Sequence, residues 1–109
     1  MKVGDLKVGM MLTPSLNKYT NLKPVFQLRE QLVSDGERDF YKCVVDVRHI
    51  RGFKDKTSVY DYGIYMGYKR SNVYLDGVKK HHMILVGGTL AYLTGYEFAY
   101  IEKVSEQVD

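Results

Sequence analysis

The chain has 109 residues and a mass of 12.6 kDa, and its 45% hydrophobic and 27% charged residues are typical of one globular domain. A single cysteine excludes an intrachain disulfide framework and a zinc site of paired cysteines, and no apolar run is long enough for a transmembrane helix. The net charge of +3 does not identify a partner. We expect one domain over residues 1–109 in the cytoplasm, because charged residues interrupt the N-terminus where a signal peptide would be apolar.

The residue types favour β structure over helix. The chain has ten tyrosines and no tryptophan, and tyrosine fits the half-buried surface of a sheet. Its ten glycines supply residues for turns and bulges. We therefore predict a mainly β protein.

Two strands are predicted in the N-terminal half of the chain. The first covers residues 9–13, is entered through a turn at residues 3–5, and ends at Pro14. The second covers residues 41–47, where tyrosine, cysteine and valine alternate with polar residues. Each should bury one face.

The segment 25–33 fits two interpretations. Val25, Leu28 and Leu32 share a helical face, and several residues of the segment are good helix formers. Phe26, Leu28 and Leu32 also share a strand face, which only Glu30 interrupts. A strand is favoured over a helix, because Asp35-Gly36 can close a hairpin onto the strand at 41–47.

The clearest predicted strand covers residues 58–70. Its even positions carry large apolar and aromatic side chains, and its odd positions include Asp61, Gly63, Gly67 and Lys69. The two glycines indicate a bulge or strong curvature, as a small barrel requires. The pattern assigns the even face to the core, including Tyr62, Ile64, Met66 and Tyr68.

A hairpin and a short closing segment follow. Apolar residues 83–86 and 89–93 flank Gly87-Gly88, a pair that suits a two-residue turn. Residues 95–99 are predicted as one turn of 3₁₀ helix, and residues 100–104 as the last strand. Across all strands, the predicted buried set is Cys43, Val45, Ile64, Met66, Leu85 and Leu93.

This order of elements resembles the SH3-like small β-barrel. In residues 63–104, GIYMGYKR…HHMILVGGTLAYLTGYEFAYIEKV, a glycine-flanked strand, a hairpin, a helical turn and a closing strand look like small barrels encoded by tailed phages. The opening Val3-Gly4-Asp5-Leu6 is similar to the start of such barrels. The resemblance implies an SH3-like barrel, phage-encoded and cytoplasmic in the host cell, with a long excursion at residues 15–57. It does not imply one function, because such barrels serve protein interaction, nucleic-acid binding and structural roles.

No pattern of residues indicates catalysis. His81 and His82 are neighbours on a predicted strand, so they point to opposite faces and cannot ligate one ion together. Cys43 lies among apolar residues, where burial makes a thiol inert. We expect no enzyme, no metal, no cofactor and no small-molecule substrate.

Two groups of basic residues offer a binding surface. Basic side chains beside aromatic rings suit single-stranded nucleic acid, but acidic residues interrupt both groups, so an ordinary solvated surface is the favoured interpretation. The groups are Arg48, His49, Arg51, Lys54 and Lys56, and Lys69, Arg70, Lys79, Lys80, His81 and His82.

The favoured function is a non-enzymatic structural or protein-interaction barrel, and the alternative is a nucleic-acid-binding barrel that uses basic residues and exposed tyrosines. Tyr65 lies opposite the predicted core face, and exposed tyrosines are enriched at interfaces. Tyr65→Ser should then preserve the fold and weaken contact with a protein partner or a second copy. The candidate binding residues are Tyr65, Arg70, Lys79, Lys80 and His82.

Overall fold

The structure, a computed structural model, describes residues 3–15, 22–50, 59–75, 78–93 and 97–104. The described elements are strands and two 3₁₀ turns, Val3–Asp5 and Glu97–Tyr100, so the prediction of a mainly β chain is confirmed. The strands are β1 (Met11–Pro14), β2 (Lys23–Ser34), β3 (Asp39–Ile50), β4 (Val59–Tyr60), β5 (Gly63–Leu75), β6 (Val78–Val86), β7 (Thr89–Leu93) and β8 (Ile101–Lys103).

The eight strands form one sheet in the order β4-β2-β3-β7-β6-β5-β1-β8. Among the described pairs, β3 and β7 are the one parallel pair, with Val44 beside Tyr92 and Val45 beside Leu93. This pair joins the hairpin β2–β3 to the hairpin β6–β7. Sequence alternation does not predict it, because alternation says nothing about which strand lies beside which.

The sheet curls into a half-barrel because its chain connections require it. β4 is an edge strand, and β5 is the fifth strand counted from it. In a flat sheet the two strands would be about 24 Å apart. Only Asp61 and Tyr62 join them, and such a link spans about 10 Å. The link is held from both sides, since the Thr13 hydroxyl donates to the Asp61 carbonyl at 2.9 Å and Lys23 Nζ lies 2.9 Å from its carboxylate.

The segment 25–33, for which the sequence favours a strand over a helix, lies in strand β2. β2 and β3 have 12 residues each and pair along their whole length, from Lys23 with Ile50 to Ser34 with Asp39. The turn is closed by Asp35, whose Oδ1 accepts hydrogen bonds from two backbone N–H groups at 2.9 Å. This hairpin makes up most of the predicted excursion, and strands of that length span about 40 Å of a molecule whose longest dimension is 50 Å.

The C-terminal elements are also confirmed. Val86 pairs with Thr89, and the two glycines between them have φ values of 58° and 78°, as a two-residue hairpin turn requires. The 3₁₀ turn Glu97–Tyr100 then leads directly into β8.

The core lies on the inner face of the curled sheet. Its members come from strands β1 to β3 and β5 to β8 and from the second 3₁₀ turn, so the whole described chain encloses one main cluster. The buried members are Leu12, Phe26, Val45, Tyr65, Ile84, Val86, Ala91, Leu93, Phe98 and Ile101.

The predicted inner face of β5 is wrong. Tyr65 is only 4% exposed and lies in the core, whereas Tyr62, Met66 and Tyr68 are exposed. The strand predicted over residues 58–70 is two strands, interrupted at residues 61–62, and β5 then has an irregular register between Tyr65 and Gly67.

The physical reason is that Gly63 faces the core. A Cβ on Gly63 would lie 2.5 Å from Cδ1 of Ile84, so the backbone of β5 packs directly on the core there. Gly67 has a φ of 99°, which forms the predicted bulge and keeps Tyr65 inside. The prediction places these glycines on an outer, polar face, and it therefore exchanges the inner and outer faces of β5.

Three of the six residues that were predicted to be buried lie in the core or pack against it. Val45 and Leu93 are buried, and the partly buried Cys43 packs against the core. Ile64 and Leu85 are half-buried on the opposite face of the sheet. Their position on that face bears on the candidate site.

Candidate functional site

The five predicted binding residues all lie on the hairpin β5–β6, but in two different environments. Arg70 and Lys80 are cross-strand neighbours, and both are exposed, as is Lys79. Tyr65 and His82 are buried. The prediction that Tyr65 presents an exposed contact surface is therefore wrong, because its ring packs in the core.

Tyr65 and His82 form a polar pair inside the core. The Tyr65 hydroxyl lies 2.7 Å from Nδ1 of His82 and forms a hydrogen bond with it, and the Phe98 ring meets the imidazole edge-on at 4.7 Å. Burial lowers the pKa of His82, and the nearby charge of Lys80 lowers it further. Burial also raises the pKa of Tyr65. The pair therefore satisfies buried polar groups rather than exposing a reactive one.

Acidification is expected to destabilise the protein through His82. Its folded-state pKa lies below the unfolded value of about 6.5. The unfolded chain then binds the extra proton first, so the free energy of unfolding is largest above about pH 6.5 and falls as the pH drops below it. Thermal melts between about pH 8 and pH 5 measure this fall.

The control for this prediction is the double variant Tyr65→Phe/His82→Leu, which removes both polar partners and keeps the other two histidines. Its melting temperature should depend less on pH than that of the wild type. Equal slopes for the two proteins would contradict the assignment to His82.

The exposed end of β5–β6 is basic. Neither strand contains an aspartate or a glutamate. Arg70 faces Lys80 across the ladder, an arrangement of like charges that is unfavourable unless an anion compensates it. Lys80 Nζ lies 3.9 Å from the centroid of the exposed Tyr68 ring. In the other predicted basic group, Arg48 and His49 lie on β3, whereas Arg51, Lys54 and Lys56 lie outside the described residues.

An apolar row crosses four adjacent strands on the outer face of the sheet. Met11 pairs with Ile64, Ile64 with Leu85, and Leu85 with Leu90, so their side chains lie side by side on β1, β5, β6 and β7. The two ends of the row, Met11 and Leu90, are each 45% exposed. We call Met11, Ile64, Leu85 and Leu90 the outer apolar row. An antiparallel sheet facing water usually places polar residues at such positions.

A second group on the same face combines lysines with aromatic rings. Lys42 Nζ lies 4.3 Å and Lys69 Nζ 5.3 Å from the centroid of the Tyr92 ring. Lys42 Nζ also lies 3.2 Å from Nδ1 of the fully buried His81, whose ring meets Tyr92 edge-on. We call Lys42, Lys69, His81 and Tyr92 the lysine–histidine cluster.

The surroundings of the Cys43 thiol, as far as the structure describes them, disfavour its ionisation. Burial raises its pKa, and Glu30, its cross-strand partner, raises it further. Within the described ranges, no three histidine, cysteine or acidic side chains are grouped to hold a metal ion. In the same part of the chain, no helix is long and apolar enough to cross a membrane.

Comparison of the chain with models of known protein families, with curated proteins and with solved structures found no significant match.

Sequence reasoning missed the outer apolar row, although a signal for it was present. Residues 83–86 are apolar without interruption, and residues 89–93 nearly so. An unbroken apolar run indicates a strand whose two faces are both covered. The hairpin prediction uses the two segments as paired strands and assigns no role to their second apolar face.

Proposed function

We propose that this chain is a non-enzymatic protein-interaction module built on an SH3-like small barrel, and that the outer apolar row is its interface. The row carries this proposal because it places four apolar side chains next to one another on the face turned away from the core. Large apolar patches on a folded surface mark contacts with other molecules.

The partner we propose is a second copy of the chain. The outer apolar row can pack on the same row of a second copy, because two sheets pack face to face at about 10 Å through apolar side chains. Two-fold dimers are also the commonest oligomers. The half-buried Ile64 and Leu85 lie at the centre of the row, where the contact would bury them completely.

We also propose that the protein acts in the cytoplasm and is not an enzyme. If the protein is phage-encoded, this is the cytoplasm of the host cell. It is supported by the unreactive environment of Cys43 and by the use of His82 within the core. A reactive site requires several convergent titratable groups around a pocket. Among the described residues, Tyr65 and His82 instead hydrogen-bond to each other in the core, and the raised pKa of Cys43 disfavours its thiolate.

Replacing both ends of the outer apolar row should disrupt self-association. In Met11→Ser/Leu90→Ser the removed side chains are half exposed, so the monomer should lose only about 1 kcal/mol or less of stability per site. The dimer should weaken by roughly tenfold or more, since each leucine or methionine loses apolar area in the contact. Sedimentation equilibrium over a range of protein concentrations measures both proteins.

The matched control is Leu32→Ser, which removes a leucine that is 55% exposed and lies on β2, outside the row. It should associate like the wild type. A wild type that stays monomeric at about millimolar concentration, or a Leu32→Ser variant as weak as the double variant, would overturn the proposed interface.

A second candidate function is nucleic-acid binding by the hairpin β5–β6. The specific observation is the exposed ring of Tyr68 beside Lys80 and Arg70, in two strands that contain no acidic residue. Phosphates would contact the basic side chains and a base would stack on the ring. This function requires an oligonucleotide affinity that falls steeply with salt.

A further inference from the structure

The lysine–histidine cluster is assembled from four strands, of which β5, β6 and β7 follow one another in the chain and β3 is distant in sequence. Lys42 lies on β3, Tyr92 on β7, His81 on β6 and Lys69 on β5, and these are consecutive strands of the sheet. Lys69 and His81 are cross-strand neighbours, and Tyr92 stands beside Val44, two residues from Lys42. The fold therefore brings two ammonium groups to one tyrosine ring.

His81 orients one of these ammonium groups. An ammonium group has only donors, so Lys42 Nζ donates to Nδ1 of His81 at 3.2 Å. The imidazole is fully buried, and its position on β6 is held by the ladder with β5. His81 is thus a positioning residue that directs Lys42 over the face of Tyr92.

Lys42 and Lys69 form no ion pair with a carboxylate of the described residues. The ion pairs in the described part of the chain join Lys23, Arg29 and Arg38 to aspartates, and none of them includes Lys42 or Lys69. Burial lowers the pKa of Lys42; the Tyr92 ring opposes this shift, and the charge of Lys69 adds to it. Two ammonium groups near one ring repel each other, and an anion that contacts both relieves this repulsion.

We infer that the lysine–histidine cluster binds a phosphate-type oxyanion, which accepts hydrogen bonds from the ammonium groups of Lys42 and Lys69. An oxyanion with two or more negative charges can neutralise both ammonium groups. The exposed Lys69 leaves the cluster open to solvent on one side, so a ligand can enter without unfolding of the sheet. This site shares no residue with the outer apolar row.

Inorganic pyrophosphate is the first probe, added at constant ionic strength so that general screening does not change. The wild type should melt at a temperature higher by about 5 °C or more at saturating pyrophosphate than in chloride. Lys42→Met and Lys69→Met should each bind at least about tenfold more weakly by calorimetry, because each removes a charge-assisted hydrogen bond.

Lys103→Met is the matched control, because Lys103 is an exposed lysine on β8 outside the cluster. It should bind pyrophosphate like the wild type. Equal binding by the wild type, Lys42→Met and Lys69→Met would overturn the inference, as would no binding by the wild type. Circular dichroism confirms that each variant is folded, and the exposed Lys69 keeps the test valid if Lys42→Met does not fold.

Competition between pyrophosphate and a single-stranded oligothymidylate identifies the source of the phosphate. If the oligonucleotide displaces pyrophosphate from the wild type and Lys42→Met weakens both, the site takes phosphodiesters of nucleic acid. If the oligonucleotide leaves pyrophosphate bound, the site takes a small free oxyanion. Either result keeps the oxyanion site, and failure of the dimer interface would not affect it.

Discussion

Tyr65→Ser is expected to destabilise the fold by about 3–5 kcal/mol, the range for removing a large aromatic side chain from a core. The Tyr65 ring is 4% exposed and packs in the main hydrophobic cluster. Serine removes the ring, leaves a cavity, and takes the hydroxyl away from Nδ1 of His82. Since small domains have total stabilities of about 5–15 kcal/mol, the midpoint of a urea melt should fall strongly.

Tyr65→Phe separates the two causes of this loss. It keeps the ring and removes only the hydroxyl, so it should cost about 1–3 kcal/mol for the unpaired buried nitrogen of His82. A Tyr65→Ser variant with the wild-type midpoint would contradict the buried position of Tyr65. It would restore the exposed face that sequence alternation had predicted.

The second large effect is expected at Ile84. This side chain is fully buried, and Ile84→Ala should cost about 2–5 kcal/mol through lost apolar burial and the remaining cavity. Ile64→Ala makes the same chemical change one strand away, on the half-buried outer apolar row. It should cost the monomer only about 1 kcal/mol, because water already reaches that face in a single chain.

The comparison of these two variants tests which face of the sheet is the core. Sequence alternation assigned Ile64 to the inside, and the structure places it outside. Chemical denaturation of both variants under one set of conditions measures the difference. If Ile64→Ala lowers the free energy of unfolding as much as Ile84→Ala does, the assignment of Ile64 to the outer face is contradicted.

The positions of most strands could be predicted because they depend on local signals. Gly87-Gly88 adopts positive φ and closes the predicted hairpin, and Asp35-Gly36 closes the hairpin that decided between strand and helix for β2. Alternation located β3, and glycines located the bulge of β5. Each signal lies within a few residues of the feature that it predicts.

The candidate site was predicted only in part, because it depends on which strands become neighbours. The basic residues of β5–β6 are visible in the sequence, and they lie on the predicted strands. The lysine–histidine cluster is not visible, since Lys42 and Tyr92 meet only through the parallel pair β3–β7. No local pattern encodes that pairing.

The sequence by itself determined the strand content, the two tight hairpin turns and the basic character of β5–β6, because backbone preferences and charge are properties of short segments. Only the tertiary structure decided that Tyr65 is inside and Ile64 outside. Both faces of β5 carry apolar side chains, so alternation does not identify the buried one. Close packing of the Gly63 backbone on Ile84 does identify it, and such packing exists only once the strands are assembled.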